Sequence, residues 1–271
     1  MAHTILLIGC GNMGFAMMRG WMADNPALAV HVVEPAEALR TRAAGAGAMA
    51  VAAVAELPAD LSPDLVVIAV KPNTVGDVLK QCAAFAERKA TFVSVAAGIT
   101  TATMAKNLPA GASIIRCMPN TPAAIGEGMM VLFAGDKVSA EARALAETLL
   151  KTSGAVAWID DEAQMDAVTA ISGSGPAYVF HFIEALIDAG VALGLPRETA
   201  ALLAKQTVLG AGRLAMASDT DPGTLREQVT SPNGTTAAAL KVFMTDDRTK
   251  TLVAEATRAA CDRSIELGKA D

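Results

Sequence analysis

The first strand and the turn that follows it constrain this chain most. Thr4–Ile8 is a short run of Leu and β-branched residues, the pattern of a strand covered on both faces. It passes directly into Gly9-Cys10-Gly11-Asn12-Met13-Gly14, and Met13–Ala23 then reads as a helix. Strand, G-x-G-x-x-G and helix in immediate succession form the context in which this glycine spacing binds a dinucleotide. Gly9 permits the tight turn, Gly11 lets the backbone approach a pyrophosphate, and Gly14 lets helix and strand pack closely. The helix N-terminus supplies partial positive charge for the phosphates. A glycine-rich turn without a ligand is the plainer alternative. Against it stands the next strand, Ala29–Val33, which ends at Glu34, roughly 20 residues beyond the glycines, where a ribose-binding acid is expected.

Glu34 bears on the choice of cofactor. A carboxylate there accepts hydrogen bonds from an adenosine ribose and repels a 2′-phosphate, and Arg40 and Arg42 just beyond would offset part of that repulsion. The bland alternative is a solvated acid in the turn before Pro35. Useful activity with NADH is the expectation. The strand–helix alternation continues with Leu65–Ala69, leading into Val70-Lys71-Pro72-Asn73, and Thr91–Val95, leading into Ala96-Ala97-Gly98. Open parallel sheets bind ligands at the carboxyl ends of their strands, which puts Ala69, Val70, Lys71, Pro72, Ala96, Ala97 and Gly98 along the cofactor. Lys71 reads equally well as an ordinary solvated lysine. Ser113–Met118, Gly128–Phe133 and Ala155–Ile159 are further strands, with a helix over Ser139–Thr152. The pattern predicts an α/β Rossmann-type domain over residues 1–161.

From Glu162 onward the pattern is helical, over Glu162–Ile171, Pro176–Leu193, Arg197–Ala217, Thr224–Gln228, Thr235–Met244 and Asp246–Gly268, an all-α domain of residues 162–271. Ser172 or Ser174 is expected to cap the second of these helices, and Asp246 and Asp247 the last. On Pro176–Leu193 the polar residues His181, Glu184 and Asp188 share one stripe, which leaves the rest of the circumference apolar. At about 25 cal/mol per Å² the exposure of such a helix is costly, so a second copy of the chain is expected to cover it. Ser172–Gly175, SGSG, is a second candidate phosphate cradle, but Gly9–Gly14 already fills that role with full strand–helix context. Ser231-Pro232-Asn233-Gly234-Thr235-Thr236 is a turn that opens a helix, where exposed amides and hydroxyls suit a carboxylate; a turn capped by Thr235 is the simpler reading.

Several classes of function fall away. A net charge of −6 without a Lys/Arg cluster speaks against nucleic acid. Glu184 and Asp188 interrupt the best apolar run, so no membrane span is expected. No secretory leader is visible, because Thr4–Ile8 is too short for its apolar core. The 4 cysteines are scattered, which argues for reduced thiols in a cytoplasm and against a metal site. The single tyrosine, Tyr178, is followed four positions later by Phe182, which excludes a Tyr-x-x-x-Lys dehydrogenase.

Four stretches together carry a family resemblance: Gly9–Gly14, Ala69–Asn73 with Val95–Gly98, RCMPNTPAAIGEGM at Arg116–Met129, and ISGSGPAYVFHFIEAL at Ile171–Leu186. LREQVTSPNGTTAAAL at Leu225–Leu240 is a fifth. The chain resembles the pyrroline-5-carboxylate reductases, the last enzymes of proline synthesis, over nearly its whole length. The resemblance implies reduction of the C=N bond of 1-pyrroline-5-carboxylate to L-proline by NADPH or NADH, NADPH being the family's default donor. It implies a helical dimerisation domain, with larger rings of dimers in some members, and a cyclic imino acid as substrate. Ser231, Asn233, Gly234 and Thr235 would receive the substrate carboxylate, and Thr236, the catalytic group, would hydrogen-bond the ring nitrogen. Glu162 and Asn120 would approach the same site, and Gly9, Gly11, Asn12, Met13, Gly14 and Glu34 would line the cofactor with the strand-end residues named above. Two departures stand out: Asn233 replaces the first of two usual glycines, and Glu34-Pro35 replaces the Ser, Thr or Asn-Arg of many members.

Two rival readings lack support in the residues. A β-hydroxyacid dehydrogenase would need a lysine in the helical domain, and Lys205 and Lys241 sit in no motif with a role for them. A regulatory domain that only senses a nucleotide would have no use for the Ser231–Thr236 loop.

Overall fold

The structure, a computed structural model, describes residues 3–269. One sheet organises the first part of the chain, with strands β1 (Thr4–Ile8), β2 (Ala29–Val33), β3 (Met49–Val51), β4 (Leu65–Ile68), β5 (Thr91–Ser94), β6 (Ser113–Met118), β7 (Gly128–Ala134) and β8 (Gly154–Ile159). Their order across the sheet is β3-β2-β1-β4-β5-β6-β7-β8. The crossing elements are helices α1 (Asn12–Asp24), α2 (Glu37–Gly45), α3 (Val75–Gln81), α4 (Ala83–Glu87), α5 (Thr101–Ala105) and α6 (Ala140–Lys151). β1 pairs in parallel with β2 and β4, so the strand order reverses beside it, and the glycine turn leaves from that point.

The two-residue period of β1 assigns its side chains to two cores. Ile5 and Leu7 join Met17, Met18 and Trp21 of α1, whereas Leu6 and Ile8 join Leu79, Phe85, Phe92 and Met104 on the other face. All of these residues are buried, as a strand covered on both faces requires. The thiols of Cys82 and Cys117 sit in the same packing, where desolvation pushes them up to about 12. All four cysteines are free.

Several expectations need correction. The sheet is not wholly parallel: β7 runs antiparallel to β6, because only the tight 3-10 turn Thr121–Ile125 joins them and no crossing helix fits between. β3 has no expectation to match it; at three residues it carries too little pattern. The expected helix Glu162–Ile171 is three short pieces: a 3-10 turn at Glu162–Gln164, α7 (Met165–Val168) and a π turn at Thr169–Gly173. Ser172 does not cap the helix beyond. The Ser172 hydroxyl donates to the Val168 carbonyl, and Ser174 follows the π turn in helical conformation.

The chain forms two compact units, one through Ser174 that regains the stretch from Ala260 onward, and one over Gly175–Ala259. The sequence pattern puts the change at 161/162, where the strands stop, whereas the packing changes after the π turn. The second unit holds α8 (Gly175–Ala192), α9 (Arg197–Ala217), α10 (Pro222–Gln228), α11 (Thr235–Met244) and the first half of α12 (Arg248–Lys269). α8 and α9 pack through small residues, and a Cβ added to Gly190 would lie 3.0 Å from that of Ala200. Asp246 and Asp247, with φ of 55° and 51°, form the left-handed corner before α12. Val179, Phe180 and Phe182 of α8, Leu202 and Leu209 of α9 and Val242 and Phe243 of α11 are exposed in the single chain. A face this apolar is stable in water only when covered.

The turn into β8 offers a test of sheet geometry away from any site. Gly154 has φ of 140°, and a Cβ there would collide with the Gly128 backbone. Gly154→Ala is expected to lower stability by roughly 2 kcal/mol or more, read as a fall in the thermal midpoint.

Candidate active site and cofactor cradle

The glycine turn fits a dinucleotide by its contacts. Gly9 has φ of 89°, and a Cβ there would lie 2.7 Å from the Ala69 carbonyl, while one on Gly14 would run into the Gly9 carbonyl. These two glycines close the turn onto the end of β4 and the start of α1. A Cβ on Gly11 would meet nothing within 4 Å, so the middle of the turn is open to a bulky group. α1 starts with no side-chain cap and no acid in its first turn. The first amides of α1, at Asn12 and Met13, are therefore left without a capping side chain, the condition for an anion at a helix start.

Glu34 is built into this cradle. Its side chain is no solvated acid; the residue is 6% exposed. One oxygen accepts from the Cys10 amide at 2.8 Å and the other from the Ala36 amide at 2.9 Å. In the next peptide, Arg42 Nη2 donates to the Cys10 carbonyl at 2.8 Å, with its guanidinium 4.0 Å from the centre of the Phe15 ring. The two peptides that flank the Cys10 Cα are thus held, one by a carboxylate and the next by a guanidinium. Its thiol is pushed up to about 11 by desolvation, against the pull of Arg42 and with the push of Glu34. Arg40 Nη1 donates to the carbonyls of Glu34 and Pro35, both at 2.9 Å. Both arginines are engaged with backbone carbonyls rather than held out for a phosphate.

The strand ends beyond β4 and β5 carry the remaining cofactor-side candidates. Ala69 and Val70 are half-buried, and Lys71 and Pro72 are exposed, with the Lys71 carbonyl accepting from the Thr74 hydroxyl at 2.9 Å. Ala96 is buried, Ala97 is exposed, and Gly98 turns the chain with φ of 79°. Thr100 then caps α5, its hydroxyl accepting from the Thr103 amide at 3.0 Å. Asn120 pins the end of β6: its Oδ1 accepts from the Met129 amide at 2.8 Å, and its Nδ2 donates to the Ser172 carbonyl at 3.0 Å. Gly173 packs so tightly on Met118 that a Cβ would collide with its methyl. The small residues of SGSG serve this contact. Glu162 is engaged within the first unit, accepting from Thr101 and pairing with Arg116. The sequence reading gave no role to Thr101 or Arg116, because a buried ion pair between positions 46 residues apart leaves no local pattern.

In the second unit, Ser231–Thr236 forms the turn expected from its residues. Asn233 has φ of 57°, the left-handed region where glycine is at ease and Asn is the tolerated substitute. That explains the departure from two glycines without a change of backbone path. Gly234 N–H donates to the Ser231 carbonyl at 3.0 Å, so it closes the turn and is not a free donor. Gly234, not Thr235, is the N-cap of α11, without a side-chain bond. The amides of Thr235 and Thr236 lie in the first turn, outside the helix's own ladder.

With this geometry in view, similarity to known proteins decides the family. Residues 162–267 match the family model described as pyrroline-5-carboxylate reductase dimerisation, and residues 4–98 match that of the NADP oxidoreductases, coenzyme F420-dependent. A pyrroline-5-carboxylate reductase of Pseudomonas aeruginosa is 43% identical over 98% of this chain and 97% of that protein. The chain belongs to the pyrroline-5-carboxylate reductase family. A solved pyrroline-5-carboxylate reductase from Coxiella burnetii superposes with a TM-score of 0.93 at 36% identity, covering 98% of this chain and 99% of the other. The Plasmodium falciparum pyrroline carboxylate reductase, solved with NADP bound, superposes with a TM-score of 0.84 at 30% identity, covering 98% of each chain. The Rossmann-type and helical parts are therefore those of the reductase family, and the helical part is the region with which its members dimerise. The exposed apolar faces of α8, α9 and α11 lie within that region, and the chain assembles with copies of itself. Among the described residues no helix is long and apolar enough to cross a membrane, and no cluster suits a metal ion.

The left-handed position separates backbone from side-chain roles in the Ser231–Thr236 turn. Asn233→Gly is expected to keep activity and thermal midpoint close to those of the parent, whereas Asn233→Val, β-branched at positive φ, should lower both.

Proposed function

We infer that this chain catalyses NAD(P)H-dependent reduction of the C=N bond of 1-pyrroline-5-carboxylate to L-proline. The observation that carries this reading is full-length identity of up to 43% to pyrroline-5-carboxylate reductases, with the glycine cradle and the Ser231–Thr236 turn both formed. The nicotinamide cofactor supplies the hydride. The chain's own residues bind and orient. Gly9, Gly11, Asn12, Met13 and Gly14 hold the pyrophosphate, and Ala69, Val70, Lys71, Pro72, Ala96, Ala97 and Gly98 line the rest of the cofactor. The amides of Asn233, Thr235 and Thr236, with the Ser231 hydroxyl, receive the substrate carboxylate. Gly234 contributes the turn itself, since its amide is already bonded.

Thr236 is the catalytic group that hydrogen-bonds the ring nitrogen, whose proton count changes as the C=N bond is reduced. An imine nitrogen is basic enough to take its proton from water before hydride arrives, so no strong acid is needed. Hydride on the ring carbon and a proton on nitrogen balance the reaction. Holding two reactants together then supplies most of the rate. Glu162, with both oxygens engaged by Thr101 and Arg116, is not counted among the substrate groups. Asn120 acts through the Ser172 carbonyl it holds.

Glu34 favours NADH as a usable donor. Its buried carboxylate repels a 2′-phosphate, and Arg40 and Arg42, engaged with carbonyls, do little to offset this. NADPH, the family's default donor, would then be accepted without a large advantage. The functional module for dimerisation and substrate binding is residues 162–271, supported by the match over 162–267. An active site shared between subunits fits the position of the carboxylate turn in the dimerisation region, and a ring of dimers is the larger assembly carried over from the resemblance. The free thiols fit a cytoplasmic setting.

The direct test is oxidation of NADH and of NADPH with pyrroline-5-carboxylate, against a 3-hydroxy acid in the reverse direction and buffer alone. Turnover is expected with the cyclic imine only, with any NADPH preference below about 100-fold, since one repelled phosphate is an interaction of a few kcal/mol. No turnover with either donor would remove the reading. Thr236→Ala should lower kcat/KM about 10-fold, the loss of one hydrogen bond of ~1.5 kcal/mol. Unchanged kinetics would take Thr236 out of the site.

A further inference from the structure

The loop Ala96–Gly98 is held from behind by bonds that the substrate and cofactor roles above do not use. Glu162 is their centre. Its Oε1 accepts from the Thr101 amide at 2.8 Å and its Oε2 from the Thr101 hydroxyl at 2.5 Å. Thr101 is the first residue of α5 and stands three positions after Gly98. The same Oε1 pairs at 3.2 Å with Nη1 of Arg116, which lies on β6 with its side chain 5% exposed. A guanidinium this deep, deprived of its carboxylate, leaves an uncompensated buried charge, so the pair fixes the distance between β6 and Glu162 firmly.

Two further contacts make the brace two-sided. One helical turn after Glu162, Asp166 accepts from the Ser264 hydroxyl at 2.6 Å. Ser264 lies on the last part of α12, which belongs to the first unit. One turn further along that helix, Gly268 sits against the loop, where a Cβ would come 3.2 Å from the Gly98 carbonyl. The segment from Glu162 to Asp166 is therefore tied to Thr101 beyond the loop and to the helix that covers Gly98. The loop itself, with Gly98 at φ of 79° and exposed Ala97, has little side chain of its own to fix its path.

We infer that Glu162, anchored by Arg116, is a positioning residue: through Thr101 it sets the conformation of Ala96–Gly98 and with it the fit of the cofactor. The inference rests on the reading that this loop lines the cofactor. Glu162 touches neither substrate nor cofactor in this role. Its effect is on geometry, where small misplacement of a reacting group lowers rate steeply.

The test uses the full-length enzyme, with NADH affinity measured by fluorescence titration in the absence of substrate, beside steady-state kinetics and thermal midpoint. Thr101→Val removes one hydrogen bond to the carboxylate and leaves the Arg116 pair in place. It is expected to raise the NADH Kd and the cofactor KM about 10-fold and to lower kcat, the size of one charge-assisted hydrogen bond, with KM for pyrroline-5-carboxylate unchanged. Thr101→Ser, which keeps the hydroxyl, should bind NADH like the parent. Glu162→Gln should move the same quantities in the same direction, and Thr101→Val decides the matter if that variant does not fold. A Thr101→Val enzyme with a lower thermal midpoint but unaltered NADH affinity and kcat would overturn the inference, because the brace would then be only structural. Ala97→Leu separates this from the underlying reading. Weakened NADH binding in Ala97→Leu with unaltered binding in Thr101→Val removes the positioning role alone. Unaltered binding in Ala97→Leu removes the loop reading and the inference with it.

Discussion

The approach of backbone to backbone at the glycine turn is the constraint from which the rest of the first unit follows. Gly9 lies so close to the Ala69 carbonyl, and Gly14 to the Gly9 carbonyl, that no side chain fits at either position. That closeness brings the ends of β1 and β4 and the start of α1 into one small region, and the open space over Gly11 is its consequence. Glu34 and Arg42 then hold the two successive peptides at Cys10, so this part of the turn is fixed in direction. A phosphate-binding turn built of glycine alone would be loose. Here the buried Glu34 and the half-buried Arg42 do what the missing side chains cannot.

The second unit depends on a different constraint, the absence of enough apolar partners within one chain. α8 carries Val179, Phe180 and Phe182 outward, and α9 and α11 add Leu202, Leu209, Val242 and Phe243. Small residues such as Gly190 and Ala200 let α8 and α9 approach closely, but they bury little area. Hydrophobic burial large enough to fix these helices must come from a second copy, which agrees with the dimerisation region of the family. The Ser231–Thr236 turn, proposed above to receive the substrate carboxylate, lies in this same region of the chain.

Much of this was legible along the chain because it rests on short-range pattern. Thr4–Ile8, Ala29–Val33, Ser113–Met118, Arg197–Ala217 and Thr235–Met244 run over the residues read from periodicity. The glycine turn was legible too, since its geometry depends on residues a few positions apart. The misses have a common physical origin. The antiparallel β7, the π turn at Thr169–Gly173 and the return of α12 to the first unit depend on which surfaces meet after the chain has folded. The corner between α11 and α12, at Asp246 and Asp247, needed two residues tolerant of positive φ, a demand that composition does not announce, and Asp is among the few that supply it.

The sequence by itself determined the fold class, the glycine turn and the family, because glycine spacing, hydrophobic period and a handful of motifs are properties of neighbouring residues. Only the tertiary structure decided what the charged residues do. Glu34 became a buried acceptor for Cys10 and Ala36, Arg40 and Arg42 became donors to carbonyls, and Glu162 became the partner of Arg116 and Thr101. The reason is the reach of electrostatics in a desolvated interior. A charge taken out of water must find partners wherever the fold brings them, and Arg116 and Glu162, 46 residues apart in the chain, meet only because β6 and the turn at Glu162 pack together.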